Sequence, residues 1–107
     1  QLNERNKEAF YSLGQVYQKI NEPDKSRRYL ASFKKLSDFE QERDALLTEI
    51  RVRPGELHLY RKLAILYGDH GYVVDAAEVW KKSAYLGDEE AIEELTKLKS
   101  ILEQDQK

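Results

Sequence analysis

Leu13-Gly14-Gln15-Val16-Tyr17 and Leu63-Ala64-Ile65-Leu66-Tyr67 place a large, a small and an aromatic residue in the same order, 50 residues apart. Phe10 and Tyr60 stand one helical turn upstream of each pentad. A helix packed between neighbours needs a small residue where another backbone comes close. It also needs large residues one turn to either side to fill the remaining space. Gly14 and Ala64 meet the first need; Leu13 with Tyr17, and Leu63 with Tyr67, meet the second. Self-similarity at a fixed period is the mark of a helical repeat.

The punctuation of the chain supports helices throughout. Pro23, Pro54, Gly55, Gly68, Gly71 and Gly87 fall between long segments of helix periodicity, and of the glycines only Gly14 sits inside one. β-Branched residues are scattered and no window alternates as a strand does. The fold expected is all-α. A first helix over about 3–20 buries Phe10, Leu13, Gly14 and Tyr17, and Pro23 suits the first turn of the next helix. A helix over about 56–67 carries Tyr60, Leu63, Ala64 and Tyr67. After a turn at Gly68-Asp69-His70-Gly71, another over about 73–86 buries Ala76, Ala77, Trp80 and Ala84. Gly87 ends that helix, and Asp88 caps a last one with Ile92, Leu95, Leu98 and Leu102 inward.

Between the two copies, residues 37–52 hold neither glycine nor proline and include the good helix formers Ala45, Leu46, Leu47 and Glu49. The preferred reading is one helix from about residue 24 to residue 52, roughly 44 Å long. The alternative is a break at Ser37, where Ser37-Asp38-Phe39-Glu40 spells a capping box. Leu30, Phe33, Leu36 and Phe39 form one apolar patch on this segment, and Leu46, Leu47 and Ile50 another. Glu40 to Asp44 offers nothing apolar and is expected to be solvated on every side.

Composition narrows the function. There is no cysteine, which removes disulfide frameworks, thiolate catalysis and thiolate-held metals. Lysine and arginine number 18 against 20 acids, interspersed, with no basic face gathered for nucleic acid. No apolar run approaches the roughly 20 residues of a membrane span. Methionine is absent, which favours reading the chain as an excerpt of a larger protein.

No grouping of residues spells chemistry. His58 and His70 lack a metal-type partner at i+4, and Asp69-His70 has no nucleophile beside it in sequence. The acidic run 88–94 lacks the loop glycine and ligand ladder of a calcium site and suits the positive end of a helix. Arg27, Arg28, Lys34 and Lys35 share a face on which Asp38 and Glu40 intervene, so a solvated mixed surface is expected. A catalytic site, a metal and a cofactor are all unexpected; a protein or peptide partner is expected.

Tyr60, Leu63, Ala64 and Tyr67, then Gly71 and Tyr72, then Ala76, Trp80 and Ser83 follow the order of the tetratricopeptide repeat, a helix-turn-helix unit of 34 residues. The chain resembles that family over about 57–90, and less closely over about 7–38. There Phe10, Leu13, Gly14, Tyr17, Ser26 and Leu30 fit, but Phe33 stands where a small residue belongs. The resemblance implies a single domain over 1–107: repeat one at about 7–38, a helical extension at about 37–53, repeat two at about 57–90, and a capping helix at about 89–104. It implies an α-solenoid of helical hairpins with one elongated helix, used as a non-catalytic interaction module. Such modules often take a peptide or helix along the first helices of their repeats. The matching positions are Tyr11, Gln15 and Gln18 in one copy and His58, Arg61 and Ile65 in the other. A subtype that grips a terminal carboxylate uses lysine and asparagine one turn apart. Here Tyr11 with Gln15 and Arg61 with Ile65 depart from that pattern, so it is not expected. The alternative is a structural segment of a longer repeat protein, or a homodimer joined through the Leu46-Leu47-Ile50 patch.

Overall fold

Asn21, Gly71 and Gly87 are the described residues with left-handed backbone, at φ values of 63°, 82° and 102°, and each ends a helix. The structure is a computed structural model and describes residues 4–105. It contains α1 (Glu4–Lys19), α2 (Pro23–Val52), α3 (Leu57–Asp69), α4 (Val73–Tyr85) and α5 (Glu89–Asp105), with no strand among the described residues. The fold is all-α. The expected helix start at residue 3 lies outside the described residues. The chain from Pro23 to Val52 forms one helix of 30 residues, and the capping box at Ser37 does not interrupt it. Two compact units meet within α2, one ending at Glu42 and the other beginning at Arg43.

In the first unit, α1 and α2 form an antiparallel hairpin. Asn21 donates its N–H to the Gln18 carbonyl at 3.2 Å and Glu22 donates to Tyr17 at 2.8 Å, which satisfies carbonyls the helix end would otherwise orphan. Pro23 then opens α2 at a position where its missing N–H costs nothing. Gly14 is buried, and a Cβ there would lie 2.5 Å from Leu30 Cδ2. The buried Ser26 hydroxyl donates to the Gly14 carbonyl at 2.7 Å. Further along, the Tyr17 and Tyr29 rings stack 5.5 Å apart, and Phe10 stacks on Tyr29 at 6.4 Å.

Two expectations for this unit are corrected. Leu13 is exposed, because the buried stripe of α1 runs through Gly14 and Leu13 falls beside it. Residues 40–44 are solvated at Gln41, Glu42 and Asp44 but not on every side. Glu40 is buried and accepts a hydrogen bond from Lys7 at 2.6 Å, and the Arg43 side chain, in the second unit, is only 16% exposed. Both side chains carry aliphatic stems that apolar surroundings accept when the charged head is placed.

The second unit holds the end of α2 with α3, α4 and α5; α3 packs on α4 and α4 on α5. Its core includes Leu46, Leu59, Tyr60, Leu63, Ala64, Tyr67, Ala76, Trp80 and Ala91. Burial pushes the Tyr67 hydroxyl above its ordinary pKa, with the Asp75 charge adding to the effect. The end of α3 repeats the end of α1. Gly71 donates to Gly68 at 3.1 Å and Tyr72 to Tyr67 at 2.9 Å; Ala76 donates to Tyr72 at 2.9 Å, as Ser26 donates to Glu22 at 3.0 Å. The 50-residue recurrence of the sequence is therefore also a recurrence of backbone geometry. Ile92, expected inward, is 56% exposed, and its neighbour Ala91 takes the buried place.

Candidate functional site

The six candidate contact residues lie in two tracts, three in each unit. On α1, the Gln15 side-chain amide donates to the Tyr11 hydroxyl at 2.8 Å. The Tyr11 ring also lies 5.0 Å from that of Phe33 on α2. Phe33 thus packs its ring against that of Tyr11. Gln18 lines a separate cavity of about 290 Å³ with Asn21, Pro23, Ser26, Arg27 and Leu30. The structure joins Tyr11 to Gln15 through their hydrogen bond and sets Gln18 at the turn end of the hairpin.

On α3, His58, Arg61 and Ile65 fall at three- and four-residue spacing and share a face. Ile65 is 52% exposed. His58 Nδ1 lies 3.4 Å from the Glu56 carboxylate at the helix start. Arg61 is engaged within the protein. Its Nε donates to Asp88 Oδ2 and its Nη2 to Asp88 Oδ1, both at 2.7 Å, and Nη1 lies 3.6 Å from Glu90. This fork-to-carboxylate geometry is the strongest side-chain pairing available to arginine.

Asp88 was legible only as a helix cap, and the structure gives it more to do. Its side chain is fully buried while that of Arg61 is 39% exposed. The Ser83 hydroxyl donates to Oδ2 at 2.8 Å and the Glu90 N–H to Oδ1 at 3.2 Å. The Asp88 N–H closes the end of α4 on the Ser83 carbonyl at 3.1 Å, while Gly87 donates to Ala84. The hydrogen bond from Arg61 leads in holding the carboxyl far below its ordinary pKa, against the effect of burial, and Ser83 assists. The same bond raises the Arg61 pKa further. Ser83, five residues before Asp88, is the sequence signal for this network. A serine on a buried helix stripe calls for a polar partner.

The remaining charged candidates pair locally. Arg27 meets Asp24 at 2.5 Å and Lys34 meets Asp38 at 2.8 Å on exposed α2. His70 Nδ1 lies 3.0 Å from the Leu66 carbonyl at the end of α3. Among the described residues no group of three or more His, Asp or Glu side chains is placed to hold a metal, and no helix is long and apolar enough to cross a membrane. Comparison with protein-family models, with curated proteins and with solved structures found no match to this chain.

Proposed function

We propose that the chain is a non-catalytic protein-interaction module of tetratricopeptide-like helical hairpins, which binds a peptide or helix on tracts carried by α1 and α3. The observation that supports this most is the 50-residue recurrence. Gly14 and Ala64 are both buried, and Asn21 and Gly71 end their helices with the same hydrogen-bond pattern. A hairpin built twice on one plan leaves the outer positions of its first helix free to vary, which is how repeat proteins acquire contact surfaces. Of the candidate contacts, Ile65 offers exposed apolar area, and Tyr11 with Gln15 offers a ring and amide already held in place. Arg61 serves the fold through two donors to Asp88 and keeps its side chain partly exposed.

The test is capture of partners from lysate by the chain and by an Ile65→Asp variant of matching circular dichroism. Partners held by the first and lost by the second support the proposal, and an identical set counts against it.

A second reading, self-association, has its own observation. Leu13 and Val16 on α1 and Ile20 just past its end are all exposed at three- and four-residue spacing, an apolar stripe without cover within the first unit. Leu46, by contrast, is buried in the second unit, which leaves Leu47 as the exposed leucine of the patch expected to join a dimer. Sedimentation across a concentration series decides it, with Val16→Glu as the variant that dissociates any dimer built on α1.

A further inference from the structure

We infer that a groove along the C-terminal half of α4 docks an acidic segment of another protein that carries an apolar anchor. Tyr60, Glu78, Lys81, Lys82, Tyr85 and Leu86 line an open cavity of about 470 Å³ within the second unit. Glu78, Lys81, Lys82 and Tyr85 recur at one-turn spacing, so they form one stripe of α4, away from the buried Ala76, Trp80 and Ser83. Tyr85 is 91% exposed, and Leu86 beside it is also exposed. A tyrosine held out of the core beside a concave surface supplies large contact area at small entropic cost, which is why interfaces are centred on such rings.

The charge around the groove selects the partner. Lys81 and Lys82 stand on its rim. The Tyr60 hydroxyl donates to the Pro54 carbonyl at 2.8 Å, which fixes that ring in the lining. Glu78, the acid of the lining, lies 3.6 Å from Lys81, so Lys82 leaves the rim one charge positive. An apolar floor within a positive rim favours carboxylates flanking a leucine or aromatic anchor and repels a basic segment. None of its lining residues belongs to the candidate tracts on α1 and α3.

The test is selection of random short peptides displayed against the chain, followed by titration of the best synthetic peptide by fluorescence anisotropy. The expected consensus is Asp and Glu around Leu, Phe or Trp. Tyr85→Ala and Lys82→Glu each weaken binding by about tenfold, and affinity falls as salt rises. Both positions are exposed, and unchanged circular dichroism of the variants excludes unfolding as the cause. A basic or charge-free consensus, no enrichment, or affinity indifferent to both substitutions overturns the inference. So does a dimer that Tyr85→Ala dissociates, which assigns the groove to a second copy. A peptide lost with Ile65→Asp and kept with Tyr85→Ala overturns it too while supporting the α3 tract.

Discussion

Arg61 donates two parallel hydrogen bonds of 2.7 Å to Asp88, 27 residues later, and so fastens α3 to the junction between α4 and α5. At that junction Asp88 closes one helix with its N–H and caps the next with its carboxylate. The terminal helix is thereby held by a polar lock as well as by the small contact residue Ala91. The lock engages two of the five N–H donors of Arg61, whose side chain stays 39% exposed.

Removing the carboxylate tests the lock. Asp88→Ala loses the cap and leaves the fully buried Ser83 hydroxyl without its acceptor, at a combined cost of about 2 kcal/mol in urea or thermal unfolding. Arg61→Ala destabilises too, because it strands a buried charge, and adding Asp88→Asn recovers part of that loss. Arg61→Lys does not substitute, since an ammonium lacks the two-pronged geometry. Additive effects in the double variant would show that the two residues are not coupled.

Acid reads the same contact. The Asp88 carboxyl is held well below its ordinary value of 3.8 by Arg61 first and Ser83 second. On acidification the unfolded chain therefore takes up a proton that the folded chain resists. The stability from this group is complete above about pH 5 and declines as pH falls through the ordinary value towards the folded one. The difference in unfolding midpoint between the chain and Asp88→Asn should shrink between neutral pH and pH of about 3. A constant difference would place the carboxylate outside the lock.

The helices were legible because their boundaries rest on local chemistry: Pro23 at a first turn, and glycine or asparagine where φ turns positive. The continuity of α2 followed from the lack of any breaker across 37–52. Which face each residue shows was less legible. Leu13 and Ile92 have the right periodicity for burial but sit one position from Gly14 and Ala91, the small residues that take the buried places. The Arg61–Asp88 pair was illegible, since it joins residues in different helices. Glu40 and Phe33 found partners in Lys7 and Tyr11 for the same reason: hairpin pairing, absent from any local window, brought them together.

The repeated helix end makes a paired prediction. Gly71 has φ of 82° with nothing within 4 Å of a built Cβ, so the cost of Gly71→Ala is conformational alone, about 1 kcal/mol. Asn21 holds the equivalent place at φ 63°, and Asn21→Gly should stabilise the first hairpin by a few tenths of a kcal/mol or leave it unchanged. Chemical denaturation of both variants checks this. Equal losses from both would mean that the side chain of Asn21 contributes to the turn.

Trp80 is the large aromatic on the buried stripe of α4 between Ala76 and Ser83, and Leu30 stands at the matching position of the first copy. Trp80→Ala should cost about 3–5 kcal/mol, enough to unfold a small domain of ordinary stability. Leu30 is only half-buried, so Leu30→Ala should cost less, about 2 kcal/mol. Tryptophan fluorescence would follow the second unit, because Trp80 is the sole tryptophan of the chain.

Gly14 sets two principles against each other. In an isolated helix, Gly→Ala gains about 1 kcal/mol from propensity. Here the added methyl would lie 2.5 Å from Leu30 Cδ2 and 2.6 Å from Leu30 Cγ, and Cγ is not a chain end that swings aside freely. Moving α2 outward would stretch the 2.7 Å bond from the buried Ser26 hydroxyl to the Gly14 carbonyl. Overpacking of this kind costs about 1–3 kcal/mol and the hydrogen bond about 1 more, so Gly14→Ala should destabilise by about 1–3 kcal/mol despite its better propensity. Leu30→Ala in the same chain removes the clash, and Gly14→Ala should then be neutral or stabilising. That reversal of sign, read from denaturant midpoints of the four variants in the cycle, identifies close helix approach as the reason glycine stands at 14.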